Sequence, residues 1–218
     1  MVEFAIVLPL LITVLFGLGE VALSIFAATQ ATNAIQALAD LGTQSVALRS
    51  TDVNNIYNAA YLMMNPLPSS SLLLRITNVV SNGNGGAFVS WSCGQGNLGP
   101  LTALSVYGNT TAGTASSTLL VLTTGKTATS NGFTYSGANT SFVIVEGNYT
   151  YTPVTKMILT TSQVTTSEAI AMPRLATYIG FPWNGVSGQW PGVPTSYKKT
   201  SSLTFTANSN TITCNYGS

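Results

Sequence analysis

The chain has 218 residues, of which only 6% are charged, and a net charge of +1 at pH 7. This balance argues against nucleic acid as a partner, because phosphate binding needs clustered lysine and arginine. Histidine is absent, so imidazole acid–base catalysis is excluded, and two cysteines do not complete a zinc site. We therefore expect no enzyme, no cofactor and no metal. So little charge suits an assembly or a habitat of low pH, and the composition leaves both open.

The first predicted element is an apolar helix at the N-terminus. Residues 4–19 carry no charge, Glu20 interrupts the run, and residues 21–28 resume it. As a helix the uncharged part would span roughly 24 Å and the whole run roughly 37 Å, against about 30 Å for the hydrocarbon core of a bilayer. The segment can therefore cross a membrane only if Glu20 lies near one face or is paired.

Three interpretations of this helix compete. A cleaved signal peptide needs a basic flank, but Glu3 stands there and no lysine or arginine precedes Arg49. A plain membrane anchor lacks basic residues to orient it. In the third interpretation, which we favour, the helix leaves the bilayer and packs against copies of itself in a filament. A lone acid suits that case, because it can pair with a neighbour's free amine instead of lying unpaired in hydrocarbon.

The residues VEFAIVLPLL at 2–11, continued by FGLGE at 16–20, resemble the N-terminus of TadE-like pilins, in the Tad (tight adherence) branch of type IV pili. That family's pattern is an acid, an aromatic, a small residue and an aliphatic run with an early proline, followed by glycine and glutamate. In type IV pilins the acid is typically the fifth mature residue, whereas here it is the third. Either residues precede Met1 or processing differs.

The resemblance implies a structural subunit of an extracellular filament that serves adhesion. The helix would be inserted in the inner membrane before assembly and then bundled in the filament core with copies of the chain and other pilins. Residues implied in assembly and register are Glu3, Pro9, Gly17, Gly19 and Glu20. Proline and glycine weaken a helix, so the family likeness suggests that this stretch can extend or melt on assembly.

The expected fold is α+β, a long hydrophobic helix followed by a mainly antiparallel β domain. We place the first helix from about Glu3 to Arg49 and a second near Asp52–Met64, ended by the prolines after it. The predicted domains are 1–50, the membrane and filament-core helix, and 51–218, the extracellular β-rich domain, with residues 51–66 as a short helix and linker.

Short runs rich in valine, threonine and aromatic residues predict the strands. They are residues 72–80, 87–93, 101–107, 118–124, 133–135, 141–151, 157–166, 202–207 and 210–214. Asn82-Gly83 predicts a hairpin between the first two. Residues 142–153 and 169–174 resemble, more weakly, the corresponding stretches of TadE/TadG-like proteins, and residues 178–218 have no counterpart in that resemblance.

The two cysteines, Cys93 and Cys214, form an even, minimal pair behind an export-type helix, which favours a disulfide. Such a bond would tie the last strand to the strand at 91–93. Two separate buried thiols are the alternative.

The remaining candidates lie outside the helix. Trp183 and Trp190 stand in a loop rich in proline and glycine, which suits either a subunit interface or a surface that binds a glycan. The second use defines the alternative function, a membrane-tethered minor pilin or adhesin. Asn109, Asn139 and Asn148 begin formal glycosylation sequons. Glu146 and Glu168 are the only acids of the β region, and nothing local supports a catalytic carboxylate pair.

Overall fold

A long N-terminal helix precedes an antiparallel six-stranded sheet, which confirms the predicted α+β class. The computed structural model describes residues 2–82, 87–102, 121–123, 127–130, 133–136, 138–156, 158–175, 179–181 and 200–217. The predicted turn at 83–86 lies outside these residues. So does most of the predicted strand 101–107, whose first two residues belong to no strand.

The helices are α1 (Val2–Thr43), α2 (Ser50–Met63) and a short 3-10 turn at Ser69–Ser71. The strands are β1 (Leu72–Asn82), β2 (Ala87–Gly94), β3 (Val121–Thr123), β4 (Thr127–Ser130), β5 (Phe133–Ser136), β6 (Ala138–Tyr151), β7 (Gln163–Ala171), β8 (Thr200–Ala207) and β9 (Asn210–Gly217). Strand β4 was not predicted, because its four residues include no valine, isoleucine or aromatic residue.

The first helix ends at Thr43, so the predicted end at Arg49 is wrong. After Thr43 the backbone pairs with a distant segment instead of continuing as a helix. The N–H of Leu48 donates to the carbonyl of Gly180 at 2.9 Å, and the N–H of Gly180 donates to the carbonyl of Val46 at 3.3 Å. The next helix, α2, begins where the Asp52 carboxylate accepts a hydrogen bond from the N–H of Arg49.

The predicted strand 157–166 is wrong over its first half. Residues 158–162 belong to the loop between β6 and β7, and strand structure begins at Gln163. The apolar pair that suggested an early strand, Ile158 and Leu159, turns towards α1 instead, as described below.

The six-stranded sheet has the order β7-β6-β1-β2-β9-β8, with every neighbouring pair antiparallel. Strands β3, β4 and β5 form a separate sheet. One face of the larger sheet is covered by the second half of α1, which packs on β6 and β7, and by α2. Buried apolar residues of α1 and of the sheet belong to one cluster, which includes Ala31, Ile35, Leu38, Leu74 and Val145.

Close packing between α1 and the sheet depends on Gly147 of β6. A Cβ at this position would lie 2.4 Å from Cδ1 and 2.6 Å from Cγ1 of Ile35, so a larger residue would force the Ile35 side chain to move. Alanine recurs on the buried side of α1, at positions 27, 31, 34 and 39, which also permits a short distance between helix and sheet. The second half of α1 is therefore part of the core of the β-rich unit, and the boundary predicted at residue 50 stays a prediction.

The last two strands form a tight hairpin, as predicted. Asn208 and Ser209 connect them with positive φ angles of 45° and 66°, a conformation that asparagine tolerates better than most residues. Strand β9 then pairs with β2, so the end of the chain lies beside its first hairpin.

A disulfide joins Cys93 of β2 to Cys214 of β9, which face each other in register. Both residues are fully buried, and the hydroxyl of Tyr57 on α2 donates to the carbonyl of Cys93 at 2.8 Å. The bond thus fastens the C-terminal hairpin to the central sheet at a point covered by α2.

Replacing both cysteines with alanine should lower the free energy of unfolding by roughly 4 to 5 kcal/mol, because the loop that the bond closes is long. The two residues are separated by 121 positions. Urea denaturation of the full chain in detergent, followed by tryptophan fluorescence, measures the difference. Wild-type protein in reducing agent is the control and should behave like the double variant; equal stability of oxidised wild type and variant would contradict the prediction.

Candidate functional site

The first half of α1 is a largely apolar surface, most of which the described part of the chain leaves uncovered. Helix residues from Val7 to Phe26 expose large apolar side chains, and the helix from Val7 to Thr43 is long and apolar enough to cross a membrane. The exposed apolar residues are Val7, Leu8, Leu10, Leu11, Ile12, Val14, Leu15, Phe16, Leu18, Val21, Leu23, Ile25 and Phe26. This surface must be covered by lipid or protein, because monomeric soluble proteins rarely expose so large an apolar patch.

The loop between β6 and β7 contacts α1 in the middle of this surface, at Gly17. A Cβ at Gly17 would lie 2.0 Å from Cδ1 of Ile158 and 2.9 Å from its Cγ1. Glycine therefore provides the space that seats the Ile158 side chain against the helix. Gly17 was predicted to matter because glycine weakens a helix, and in the structure it also makes room for this packing contact.

One turn further along α1, the carboxylate of Glu20 binds the same loop. Its Oε1 atom accepts hydrogen bonds from the N–H of Lys156 at 2.8 Å, the hydroxyl of Thr155 at 3.0 Å and the N–H of Thr155 at 3.2 Å. Its Oε2 atom accepts from the N–H groups of Ile158 and Leu159, at 3.2 and 3.3 Å. Glu20 is only 4% exposed.

The loop backbone is shaped to bind this carboxylate. Lys156 has a positive φ of 54°, and alternation of right- and left-handed residues turns successive N–H groups towards one point, which makes a concave anion site. Hydrogen bonds to a charged acceptor are stronger than those between neutral groups. The sequence required Glu20 either to lie near one face of the membrane or to be paired, and the structure shows a partner inside the chain.

The other residues predicted to act in assembly differ from Gly17 and Glu20 in their surroundings. Pro9 and Gly19 are exposed, and a Cβ added at Gly19 would meet nothing within 4 Å. Gly19 lines a groove of about 220 Å³ that Leu15, Leu23, Tyr151 and Val154 also border. Glu3 lies in the first turns of α1, and α1 is helical throughout Pro9, Gly17 and Gly19. Their roles in assembly stay predictions.

The contact between Glu20 and its loop has no local signal in the sequence. The partners lie 135 to 139 positions apart, so the contact depends on where β6 ends beside the helix. A buried acid in an apolar run signals only that some partner exists.

A row of charged residues crosses three strands on the face of the sheet opposite α1. Arg75 of β1 lies opposite Glu146 of β6, which lies opposite Glu168 of β7. The Nε of Arg75 donates to the Glu146 carboxylate at 2.6 Å, and both side chains are buried. Burial and the nearby charge of Glu146 raise the pKa of Glu168 to about 7. The structure thus brings together the two acids of the β region, with Glu146 bound to Arg75.

The remaining predicted residues are the two tryptophans and the three sequon asparagines. Asn148 is half-buried in β6, and Asn139 belongs to the same strand. Trp183, Trp190 and Asn109 lie outside the described residues. The proposed roles of all five in binding or glycosylation stay predictions.

Taken together, the described residues form a long helix with an exposed apolar first half and a second half packed on an antiparallel sheet. Residues 1–40 match the family model described as TadE-like protein. This match confirms the resemblance predicted for the N-terminal segment, and it suggests a pilin-like protein associated with a Tad pilus. It covers most of α1 and none of the sheet.

Comparisons with curated proteins and with solved structures found no match. The weaker resemblance at residues 142–153 and 169–174 lies beyond the family match and stays a prediction.

Replacing Glu20 with glutamine should expose the loop amides to solvent, because an amide nitrogen cannot accept their hydrogen bonds. Leaving buried donors unpaired costs about 1 to 3 kcal/mol. Hydrogen–deuterium exchange should therefore be faster at Thr155, Lys156, Ile158 and Leu159, with β6 and β7 unchanged. The matched control is Asp40→Asn, which alters another acid of α1 that binds Arg174 and not the loop. Unchanged exchange at the loop in Glu20→Gln would contradict the assignment.

Stability should fall as the pH rises through the range set by Glu168. The pKa of this carboxyl is raised from 4.5 to about 7 in the folded chain. The folded state therefore holds the proton more tightly than the unfolded state. The stabilisation that comes from this tighter proton binding is fully present below pH 4.5 and is lost by about pH 7.

Thermal unfolding of the full chain in detergent between pH 4 and pH 8 measures this effect. In Glu168→Gln, which mimics the protonated acid, the loss of stability between pH 4.5 and pH 7 should be smaller than in the wild type. Parallel pH profiles for the two proteins would show that Glu168 does not titrate in this range.

Proposed function

We propose that this protein is a subunit of a Tad-type pilus that is stored in the inner membrane by α1 and then built into an extracellular filament. In the filament, α1 packs in the core against copies of the chain and other pilins. The sheet domain lies outside and serves attachment to surfaces. This role is structural and requires no cofactor.

The observation that carries the proposal is the division of α1 into two parts. Its second half is fixed in the core of the sheet domain by Ile35 and Leu38, whereas Val7–Phe26 leaves its apolar side chains exposed. A single helix with such a surface can pass from lipid to a bundle of like helices, because both surroundings cover apolar side chains. The family match over residues 1–40 supports the same use of the helix.

Glu3 is the residue proposed to set the register of the filament. An acid near the start of an apolar helix is costly in hydrocarbon unless it is paired or reaches water. In a bundle of identical helices, a neighbour's N-terminal amine would provide that pair. Glu20 does not compete for this role, because its carboxylate already binds five donors of its own chain.

The proposal also places limits on where the helix can extend during assembly. Pro9 is exposed on α1, whereas Gly17 lies where Ile158 packs on the helix. Extension around Pro9 would leave the sheet domain in place. Extension at Gly17 would also release the loop from Glu20.

Replacing Glu3 with alanine should leave the protein folded and inserted in the membrane but abolish filaments, because the pair that fixes the register is lost. Electron microscopy of sheared cell-surface material, with mass spectrometry of its subunits, measures filament content. Glu3→Asp is the control and should retain filaments, since it keeps the charge. Normal filaments from Glu3→Ala would refute the role of Glu3, and filaments with only traces of this chain would make it a minor subunit.

A further inference from the structure

The loop between β6 and β7 exposes apolar side chains at the place where it contacts α1. Val154 is 82% exposed and Ile158 is 53% exposed, although Ile158 also packs on Gly17. We name Val154, Lys156 and Ile158 the loop foot. Two aliphatic residues on the tip of a loop are otherwise unexpected, since exposed loops in soluble domains are mostly polar.

The loop foot lies within the exposed apolar surface of α1 rather than beyond it. Apolar side chains are exposed on the helix from Val7 before the contact to Phe26 after it. These 20 residues span about 30 Å, the thickness of the hydrocarbon core. Glu20, which holds the loop, stands six residues before Phe26. The loop foot is therefore about 9 Å inside the end of the apolar surface on the side of the sheet domain.

The loop backbone is prepared for an environment without water. Four N–H groups, those of Thr155, Lys156, Ile158 and Leu159, donate to the Glu20 carboxylate. An unpaired backbone group in hydrocarbon costs several kcal/mol, which is why loops facing lipid are normally excluded. Glu20 removes this obstacle for these four N–H groups, and the loop in turn supplies the partners that the acid needs at this depth.

The charge of the loop also suits a lipid surface. Residues 152–162 contain one lysine and no acid. The Lys156 side chain is exposed beside the two aliphatic residues. A lysine at this depth can extend its apolar stem along the acyl chains and place its ammonium group among phosphates. A loop with this composition is attracted to anionic headgroups.

We infer that the loop foot enters the membrane, with Val154 and Ile158 among the acyl chains and Lys156 at the headgroup phosphates of the leaflet nearest the sheet domain. This inference rests on the proposed storage of the chain in a membrane by α1. The expected depth agrees with the 5 to 10 Å or so to which apolar faces enter the boundary of headgroups and acyl chains. The loop foot would thus hold the sheet domain at a fixed height and tilt on the membrane.

A fluorophore that brightens in an apolar environment tests this position. Both native cysteines are joined to each other, so a cysteine introduced at Val154 is the only free thiol of the chain. The full chain is labelled there and reconstituted in vesicles of phosphatidylethanolamine and phosphatidylglycerol. Spin-labelled lipids with the nitroxide at shallow or deep positions then report the depth of the label by quenching.

Two matched labels accompany it. Leu10→Cys places the label on the part of α1 proposed to cross the membrane, and Thr206→Cys places it on an exposed position of β8. We expect quenching at positions 10 and 154 and none at 206. At position 154 the shallow nitroxide should quench more than the deep one. Lys156→Ala should reduce the quenching at 154 in vesicles rich in phosphatidylglycerol and leave position 10 unchanged.

The outcomes separate this inference from the proposed function. Quenching at position 10 without quenching at 154 would overturn the loop foot as a lipid contact while membrane storage stands. A label at 154 that remains in water in vesicles but becomes shielded in filaments would assign this surface to a second copy of the chain. Absence of quenching at both positions would overturn membrane storage and the loop foot together.

Discussion

The first half of α1 is fastened to the sheet domain by five hydrogen bonds between the Glu20 carboxylate and the loop after β6. They fix a point halfway along α1 to the end of the longest strand. Packing of Ile158 on Gly17 lies beside them, and the contact of Ile35 with Gly147 lies further along the same helix. Without the carboxylate, the loop would have unpaired amides. Without the loop, the apolar helix would carry an unpaired charge.

Charge is scarce in this chain, and most of it is engaged within the fold. Of six acids, four accept hydrogen bonds at defined places: Glu20 from the loop, Asp40 from Arg174, Asp52 from the start of α2 and Glu146 from Arg75. These groups fasten elements to each other rather than keeping the surface soluble. The low charge is therefore consistent with a protein whose surface is largely covered in use. Glu168 differs from these four, because burial and the nearby charge of Glu146 raise its pKa to about 7.

Local patterns in the sequence were enough for the elements of the fold and for one of its long-range bonds. The apolar run predicted α1, alternation and turn residues predicted most strands, and the count of cysteines suggested the bond between Cys93 and Cys214 that the structure contains. What failed depended on distant partners. The end of α1 is set by Gly180, and the start of β7 is delayed because Ile158 and Leu159 face the helix. Glu20 was recognised as needing a partner, but no pattern could name residues more than a hundred positions away.

The disulfide between β2 and β9 has a consequence for the proposed exposure of the sheet domain at a cell surface. It encloses residues 94–213, more than half of the chain, in a covalent ring. A protease that cuts one peptide bond anywhere in this ring opens it without releasing a fragment, because both new ends remain attached to α1 through Cys93. A subunit damaged in this way would keep its mass and its place, and only a second cut within the ring could shed part of the outer domain.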